Sequence, residues 1–394
     1  MKGIKKSICA LLIALIFCAF FTSCGAKAAT TGGTATAPKE TTATTLSGFK
    51  LDQPQKHNVV AQEYPPLRVK SADKFVVGYM HQTLDSETIK RQTRQVQIEA
   101  HHRGWQLREA IYEGGNQTTI RDAFQALVTQ DVDAIVLYNT DPQHYADLVL
   151  ECRKKGIGVY NIDSELTAGV IANSCAPNGV ASAMLAYMLG ERFTWQANVA
   201  FITIPRFQVH MERSEVPVAI FKQYPGMNVV AYETLGAANV TAYDYCMTFL
   251  EKYGTDLDII FGSWDGVGNA AAEAAAAKNN THVIAVGIDG GSEAFANIRK
   301  NGVFQASYAQ ACEMYSHKIM ELVEQLQVKG MKPGDPDCLI KFWGETMYSD
   351  GTIVTPQNVP PAGLPIHAAQ GYYDANDKNA WYFWDDGNGL YMIE

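Results

Sequence analysis

The sequence predicts an α/β fold of two lobes, each built on a parallel sheet. Two observations predict it. Apolar strand-like runs alternate with helical patterns, and the alternation begins again past the middle of the chain. The alternating region covers roughly 290 residues, which is large for a single core of this kind and favours two. Repeated β–α units bring parallel strands with right-handed crossovers.

The elements follow in order. Residues 75–80 (Phe-Val-Val-Gly-Tyr-Met) read as a strand and 87–103 as a helix. Ile120, Phe124, Leu127 and Val128 fall on one helical face. Residues 134–138 form a continuous apolar run, as expected of a parallel strand covered on both faces. A helix over 145–155 and a strand over 157–162 complete the first half. In the second half, strands are expected over 199–204, 229–233, 258–261 and 283–287. Helices over 212–222, 243–252 and 267–278 lie between them. The C-terminal part differs. Ser349-Asp350-Gly351 and Asp385-Asp386-Gly387-Asn388-Gly389 are turn-rich and flanked by aromatic or β-branched residues. They predict two β-hairpins, the last formed by 381–384 with 390–393. Residues 371–394 thus form an aromatic C-terminal extension.

The N-terminus reads as an export signal over 1–23. Lys2, Lys5 and Lys6 precede an apolar run over 8–21 that is short and wrongly flanked for a membrane span. Phe21-Thr22-Ser23-Cys24-Gly25 resembles a bacterial lipobox, with Phe21 where Leu is usual; Cys24 would carry the lipid and become the new N-terminus. Residues 24–73, with their Thr-, Ala-, Gly- and Pro-rich stretch, are expected to be a flexible tether. Cleavage removes three lysines and no acid, taking the formal charge from −9 to −12. An acidic chain argues against nucleic acid as a partner and against electrostatic docking on anionic lipid, so a multi-chain lipid anchor would carry membrane attachment. Of eight cysteines, Cys152, Cys175, Cys246, Cys312 and Cys338 remain after the lipidated one. None has metal spacing, and small buried thiols are expected.

Diagnostic catalytic patterns are absent. No P-loop, HExxH or GxSxG occurs. His101-His102 are helix neighbours that do not share a face, and 374–379 lacks the ligands of a calcium loop. No metal and no cofactor are expected, and the chain reads as a non-enzyme.

Four segments at predicted strand ends carry a resemblance. They are Gly78 to Asp85 with the following helix and Gly104-Trp105; 132–137 with Asn139-Thr140-Asp141; 157–163; and Phe261-Gly262-Ser263-Trp264-Asp265, then Val286-Gly287-Ile288-Asp289-Gly290, then Ala306-Ser307-Tyr308-Ala309-Gln310. In order and spacing they resemble the ribose/galactose branch of the type I periplasmic-binding proteins, over about residues 74–345. The resemblance implies two Rossmann-like lobes joined by a multi-strand hinge, with a ligand cleft between them. It divides the chain into a first lobe of 74–174 plus 311–340 and a second of 175–310 plus 341–370. Ligands of open α/β sheets bind beyond the carboxyl ends of the strands, and a hinge lets the lobes close.

The resemblance also implies the site. Asp289 and Gln310 match ligand-bonding positions, and Asp163 a hydroxyl-binding acid of the first lobe. Asp265 matches an acid that contacts ligand or caps the following helix. His81, Gln82 and Asp85 would face the cleft from the first lobe, and Arg213 and Trp264 from the second. The departures are Thr88 and Ile89, Ala237 and Trp264. The first three stand where pentose binders carry phenylalanines, and Trp264 stands where they carry Asn. Met211 stands where an Arg is expected, with Arg213 beside it. A pocket with one large indole suits a ligand other than a pentose, and Trp264 would stack on it. The implied function is an extracytoplasmic solute-binding lipoprotein of an ABC importer, binding a sugar or sugar-like compound and partnering permease subunits. It would sit on the outer face of the cytoplasmic membrane or in the periplasm. The alternative is a ligand-sensing lipoprotein feeding a membrane receptor or histidine kinase, with the aromatic extension as its docking surface. A hydrolase using Asp163 with Asp289 is the rival from another class.

Overall fold

A computed structural model describes residues 64–114, 116–138, 145–236 and 240–385. The signal, Cys24, most of the tether, Asn139-Thr140-Asp141, Ala237 and 390–393 lie outside the described residues.

The first lobe runs through β1 (Val76–Gln82), α1 (Glu87–His102), β2 (Gln106–Tyr112), α2 (Gln117–Thr129), β3 (Ala134–Tyr138), α3 (Ala146–Lys154), β4 (Gly158–Ile162) and β5 (Ala172–Cys175). The second runs through α4 (Asn178–Arg192), β6 (Ala197–Thr203), α5 (Gln208–Phe221), β7 (Met227–Thr234), α6 (Ala242–Tyr253), β8 (Ile259–Gly262), α7 (Asp265–Lys278), β9 (Ile284–Asp289), α8 (Ser292–Arg299) and β10 (Phe304–Ala309). The chain then returns for α9 (Cys312–Gln327) and β11 (Glu345–Tyr348), and crosses again to β12 (Thr352–Val354). The two six-stranded sheets are ordered β11-β5-β4-β3-β1-β2 and β12-β10-β9-β8-β6-β7. Every pairing is parallel except β10 with β12. Helices cover both faces of each sheet, so β3 and β4 are buried at every residue.

Local chemistry sets the helix starts. The Ser86 hydroxyl accepts from Ile89 N at the start of α1, Asn116 caps α2, and Thr241 with Asp244 forms a capping box on α6. Among the described residues, no helix is long and apolar enough to cross a membrane.

Three expectations need correction. Ser349-Asp350-Gly351 is no hairpin turn. Its flanks belong to different sheets, β11 lying parallel to β5 and β12 antiparallel to β10. Each flank finds a separate unpaired sheet edge, so the turn is a lobe crossing. Residues 345–348 therefore join the first lobe, not the second. The stretch 381–383 is a 3-10 turn, Trp381–Phe383, rather than a strand. Its rings pack on neighbouring helices, Trp381 stacking on His317 at 4.4 Å and Trp384 on His102 at 3.5 Å. Finally, the tether does not extend to residue 73. Residues 64–73 lie on the first lobe, where Arg68 N and Lys70 N donate to Gly156 O and Gln327 O. Lys70 Nζ also pairs with the buried Asp133 at 2.7 Å.

Candidate functional site

The strand ends of both sheets meet between the lobes. Asp163 follows β4 directly and adopts φ +50°. Its amide donates to Ser174 O at 2.9 Å. That tie to β5 holds it in a left-handed conformation that non-glycine residues rarely take. The side chain is buried, and Oδ1 has no partner. Burial raises its pKa, with Arg213 opposing.

The second lobe supplies a connected network. Asp289 ends β9 with φ 148°, also a costly backbone state. Gly290 follows at φ +75°, and a Cβ there would run into Ala309. Asp289 Oδ1 accepts from Gln310 Nε2 at 2.7 Å and pairs with Arg213 Nη1 at 3.4 Å. Arg213 is itself fixed by Asn178 Oδ1 (2.7 Å) and Ser263 O (3.2 Å), which leaves its buried Nη2 without a partner. Burial pushes Asp289 up to about 7, against the pull of Arg213. The neighbouring Asp265 carboxyl pushes it in the same direction, while 17% of its side chain stays exposed. His210 is buried against Ser263 Oγ at 2.9 Å. Burial and then Arg213 push its pKa well below the usual histidine range, so it is neutral.

Asp265 has a different part from helix capping. α7 has Trp264 at its N-cap, with no side-chain hydrogen bond. The Asp265 carboxylate turns away instead, accepting from Gly290 N (2.7 Å), Gly291 N (3.0 Å) and Ser307 Oγ (2.6 Å). It thereby fixes the loop that follows Asp289.

These residues enclose a cavity of ≈ 210 Å³. The first lobe contributes Gln82, Asp85, Ser86, Thr88, Ile89, Tyr138 and Asp163. The second contributes Ile204, Arg206, Phe207, Val209, His210, Arg213, Trp264 and Asp289. Six of the nine residues singled out in the sequence therefore meet here: Gln82, Asp85, Asp163, Arg213, Trp264 and Asp289. His81, Asp265 and Gln310 do not line the cavity. His81 is buried against the chain, its Nδ1 at 2.7 Å from Gln82 O. Gln310 lies behind Asp289, with Tyr315 OH at 3.4 Å from its Oε1. The partly buried Trp264 indole meets His210 edge-on at 5.8 Å, on the wall facing Gln82 and Asp85. Sequence reasoning missed Arg206, Phe207, Val209 and His210. The signal was available, because they follow the carboxyl end of β6, where such sites form.

A larger hollow of ≈ 920 Å³ lies along α7 and α8, lined by Asn269, Glu273, Asn297 and Lys300 among others. It lacks the strand-end acids and offers mainly side-chain amides and small residues. Among the described residues, no group of three or more His, Cys, Asp or Glu is placed to hold a metal ion.

The periplasmic binding protein domain family matches residues 77–331. No curated protein matches the sequence. Several solved structures share the fold. An ABC sugar transporter subunit from Rhodobacter sphaeroides is 20% identical, with TM-score 0.63, over 72% of this chain and 99% of its own. An ABC transporter solute-binding protein from Burkholderia graminis, in complex with D-arabinose, is 19% identical, with TM-score 0.65, over 74% and 98%. Another from Bacillus halodurans, with bound myo-inositol, is 16% identical, with TM-score 0.63, over 74% and 98%.

Proposed function

The chain belongs to the periplasmic binding protein domain family, and on that premise we propose that it is the lipid-anchored solute receptor of an ABC importer. It would take one carbohydrate or carbohydrate-like solute into the cleft and pass it to permease subunits without chemical change. Lipid on Cys24 would hold it outside the cytoplasmic membrane. The carrying observation is a pair of buried polar atoms without partners, Asp163 Oδ1 on one lobe and Arg213 Nη2 on the other. One accepts and one donates, which is what a hydroxyl-bearing ligand needs from both sides. The Trp264 indole beside them offers a face for the C–H surface of a ring. D-Arabinose and myo-inositol are held by proteins of this fold, which supports the substrate class.

Thermal-shift screening of sugars, polyols, nucleosides and amino acids tests the reading. A ligand at a hundredfold excess over its Kd should stabilise the protein by about 2.7 kcal/mol. Stabilisation only by nucleosides or amino acids would move the substrate class. Turnover of a glycoside by the purified protein would replace binding with catalysis by Asp163 and Asp289. The sensory alternative gains nothing from the extension, whose Trp381 and Trp384 rings are engaged by His317 and His102 of the protein itself.

A further inference from the structure

The loop that carries Asp289 is gripped from the opposite lobe. α1 belongs to the first lobe, yet two of its residues, one turn apart, hold residues 289–292 of the second. Arg91 Nη1 donates to Asp289 O (3.4 Å) and Gly290 O (3.3 Å), and Nη2 to Gln310 O (3.3 Å). Glu313 of α9 fixes the same guanidinium, at 2.6 Å to Nε and 2.9 Å to Nη2. Glu87 makes the second grip. Its Oε2 accepts from Ser292 N at 2.8 Å and Ser292 Oγ at 2.9 Å. Ser292 opens α8, whose N-cap residue is Gly291 and has no side chain to offer. The first lobe therefore supplies the cap that α8 lacks.

The two grips respond differently to lobe separation. Arg91 acts beside Gln310, where the chain crosses from β10 to α9, so rotation about the crossings would move it least. Glu87 stands between Ser86 and Thr88, which line the cleft, and Ser292 is three residues beyond Asp289. In this structure their contact joins the two rims of the cleft. Asp265 and Glu87 divide the amides of the loop between the lobes. Asp265 holds Gly290 and Gly291 from within the second lobe, and Glu87 adds Ser292 from the first.

We propose that Glu87 is a closure latch and a positioning residue, which caps α8 across the cleft and so couples the shut state to the placement of the Asp289 carboxylate. The positioning part rests on the reading that Asp289 faces the ligand; the latch itself does not.

The test measures the distance between one spin label on each lobe of the full-length chain, without ligand. Glu87→Ala should raise the open population about tenfold, the range expected for losing a hydrogen bond to a charged group. Ser292→Pro should do the same by removing the amide donor and the hydroxyl together. Proline is well tolerated at the first helical position, and Gly291 already has the extended ψ of 162° that a residue before proline prefers. The double variant should open no further than either single one, because both remove one contact. Glu87→Gln, which keeps an acceptor, should retain most of the shut population. D-Arabinose, D-allose, allitol and myo-inositol serve as probes. Any that binds should dissociate faster from Glu87→Ala while associating at the same rate. If none binds, the solute is not one of these four, and the label distances still decide the latch. Unchanged distances in both Glu87→Ala and Ser292→Pro, with or without a fall in melting temperature, would overturn it.

Discussion

The two walls of the cleft grow from the same β–α repeat and are finished differently. On the second lobe, Asp289, Arg213, Gln310, Asn178 and Ser263 form a connected set of hydrogen bonds, with Asp265 bracing the loop behind them. On the first lobe, Asp163 is buried, but its Oδ1 has no partner. The second wall is organised before a ligand arrives and holds one spare donor, Arg213 Nη2, within its network; the first keeps a spare acceptor, Asp163 Oδ1. Preorganised groups spend little on ordering when the ligand binds. An unpaired buried carboxylate costs stability until a donor reaches it. A change on the second wall should therefore act first on the fold, and a change on the first wall on affinity.

The largest effect should come from breaking the networked wall. Arg213→Met removes the cation that faces Asp289, leaving that carboxylate with Gln310 Nε2 as its remaining side-chain donor and Asn178 Oδ1 without its donor. Removing one member of a buried pair costs about 3–5 kcal/mol. Solvent still reaches Asp289, which favours the lower end. Urea denaturation of the variant should show a large fall in midpoint with the slope retained. A midpoint shift under about 0.5 kcal/mol, the range of ordinary surface changes, would mean that the network is not structural.

Asp163→Asn probes the other wall and should give the opposite pattern. The substitution keeps the shape and removes a carboxyl that burial penalises and whose Oδ1 has no hydrogen-bond partner, so stability should hold or rise. Affinity for the cognate solute should fall by about 1.5–3 kcal/mol, the worth of a hydrogen bond to a charged acceptor. Titration calorimetry reads the affinity and denaturation the stability. A stability loss as large as that of Arg213→Met would erase the contrast between the walls.

Trp264→Ala should have a smaller effect that falls on both quantities. The indole is half in the cleft and half against the α6–α7 core, lying over Gly266, where a Cβ would collide with its ring. Loss of stacking should weaken binding by about 0.5–1.5 kcal/mol. Stability should drop by about 1 kcal/mol, less than for a fully buried aromatic residue, because part of the ring already meets solvent. A large drop in melting temperature with unchanged affinity would assign Trp264 to the core alone.

Legibility in the sequence followed the same physics. β3 and β4 were readable because both their faces are buried, so every residue is apolar or nearly so. β2 was not, because it is the edge strand of the first sheet. Its pattern Gln-Leu-Arg-Glu-Ala-Ile-Tyr leaves four of seven residues exposed. The acids Asp163 and Asp289 announced themselves by standing directly after apolar strand runs. Arg213 was readable only as a neighbour of an expected position, since its reach depends on the rotation of α5. Phe207 and His210 depended on where α5 begins, which is Gln208, four residues before the expected start. The crossing at 349–351 was misread because aromatic and β-branched flanks look the same whether two strands pair with each other or with separate sheets. Pairing partners are tertiary information that flank composition does not carry.

The smallest predicted effect separates the walls by titration. Burial raises Asp289 towards about 7, and Asp265 behind it moves in the same direction, to about 6. A carboxyl whose folded pKa lies above its unfolded value of 3.8 binds protons more readily in the native state. Its contribution to stability is therefore complete below about pH 4 and is lost as pH rises towards 7. Ligand affinity should run the other way. Hydroxyls that donate to Asp289 favour its ionised form, so binding should tighten between about pH 6 and 7.5 and release a fraction of a proton. Calorimetry at pH 6.5 in two buffers of different ionisation enthalpy reads that proton directly. Asp289→Asn should abolish the release, whereas Asp163→Asn, which removes a neighbour that raises Asp289, should move the release to lower pH without removing it. Proton uptake on binding, or a release that survives Asp289→Asn, would show that the titrating group facing the ligand lies elsewhere in the cleft.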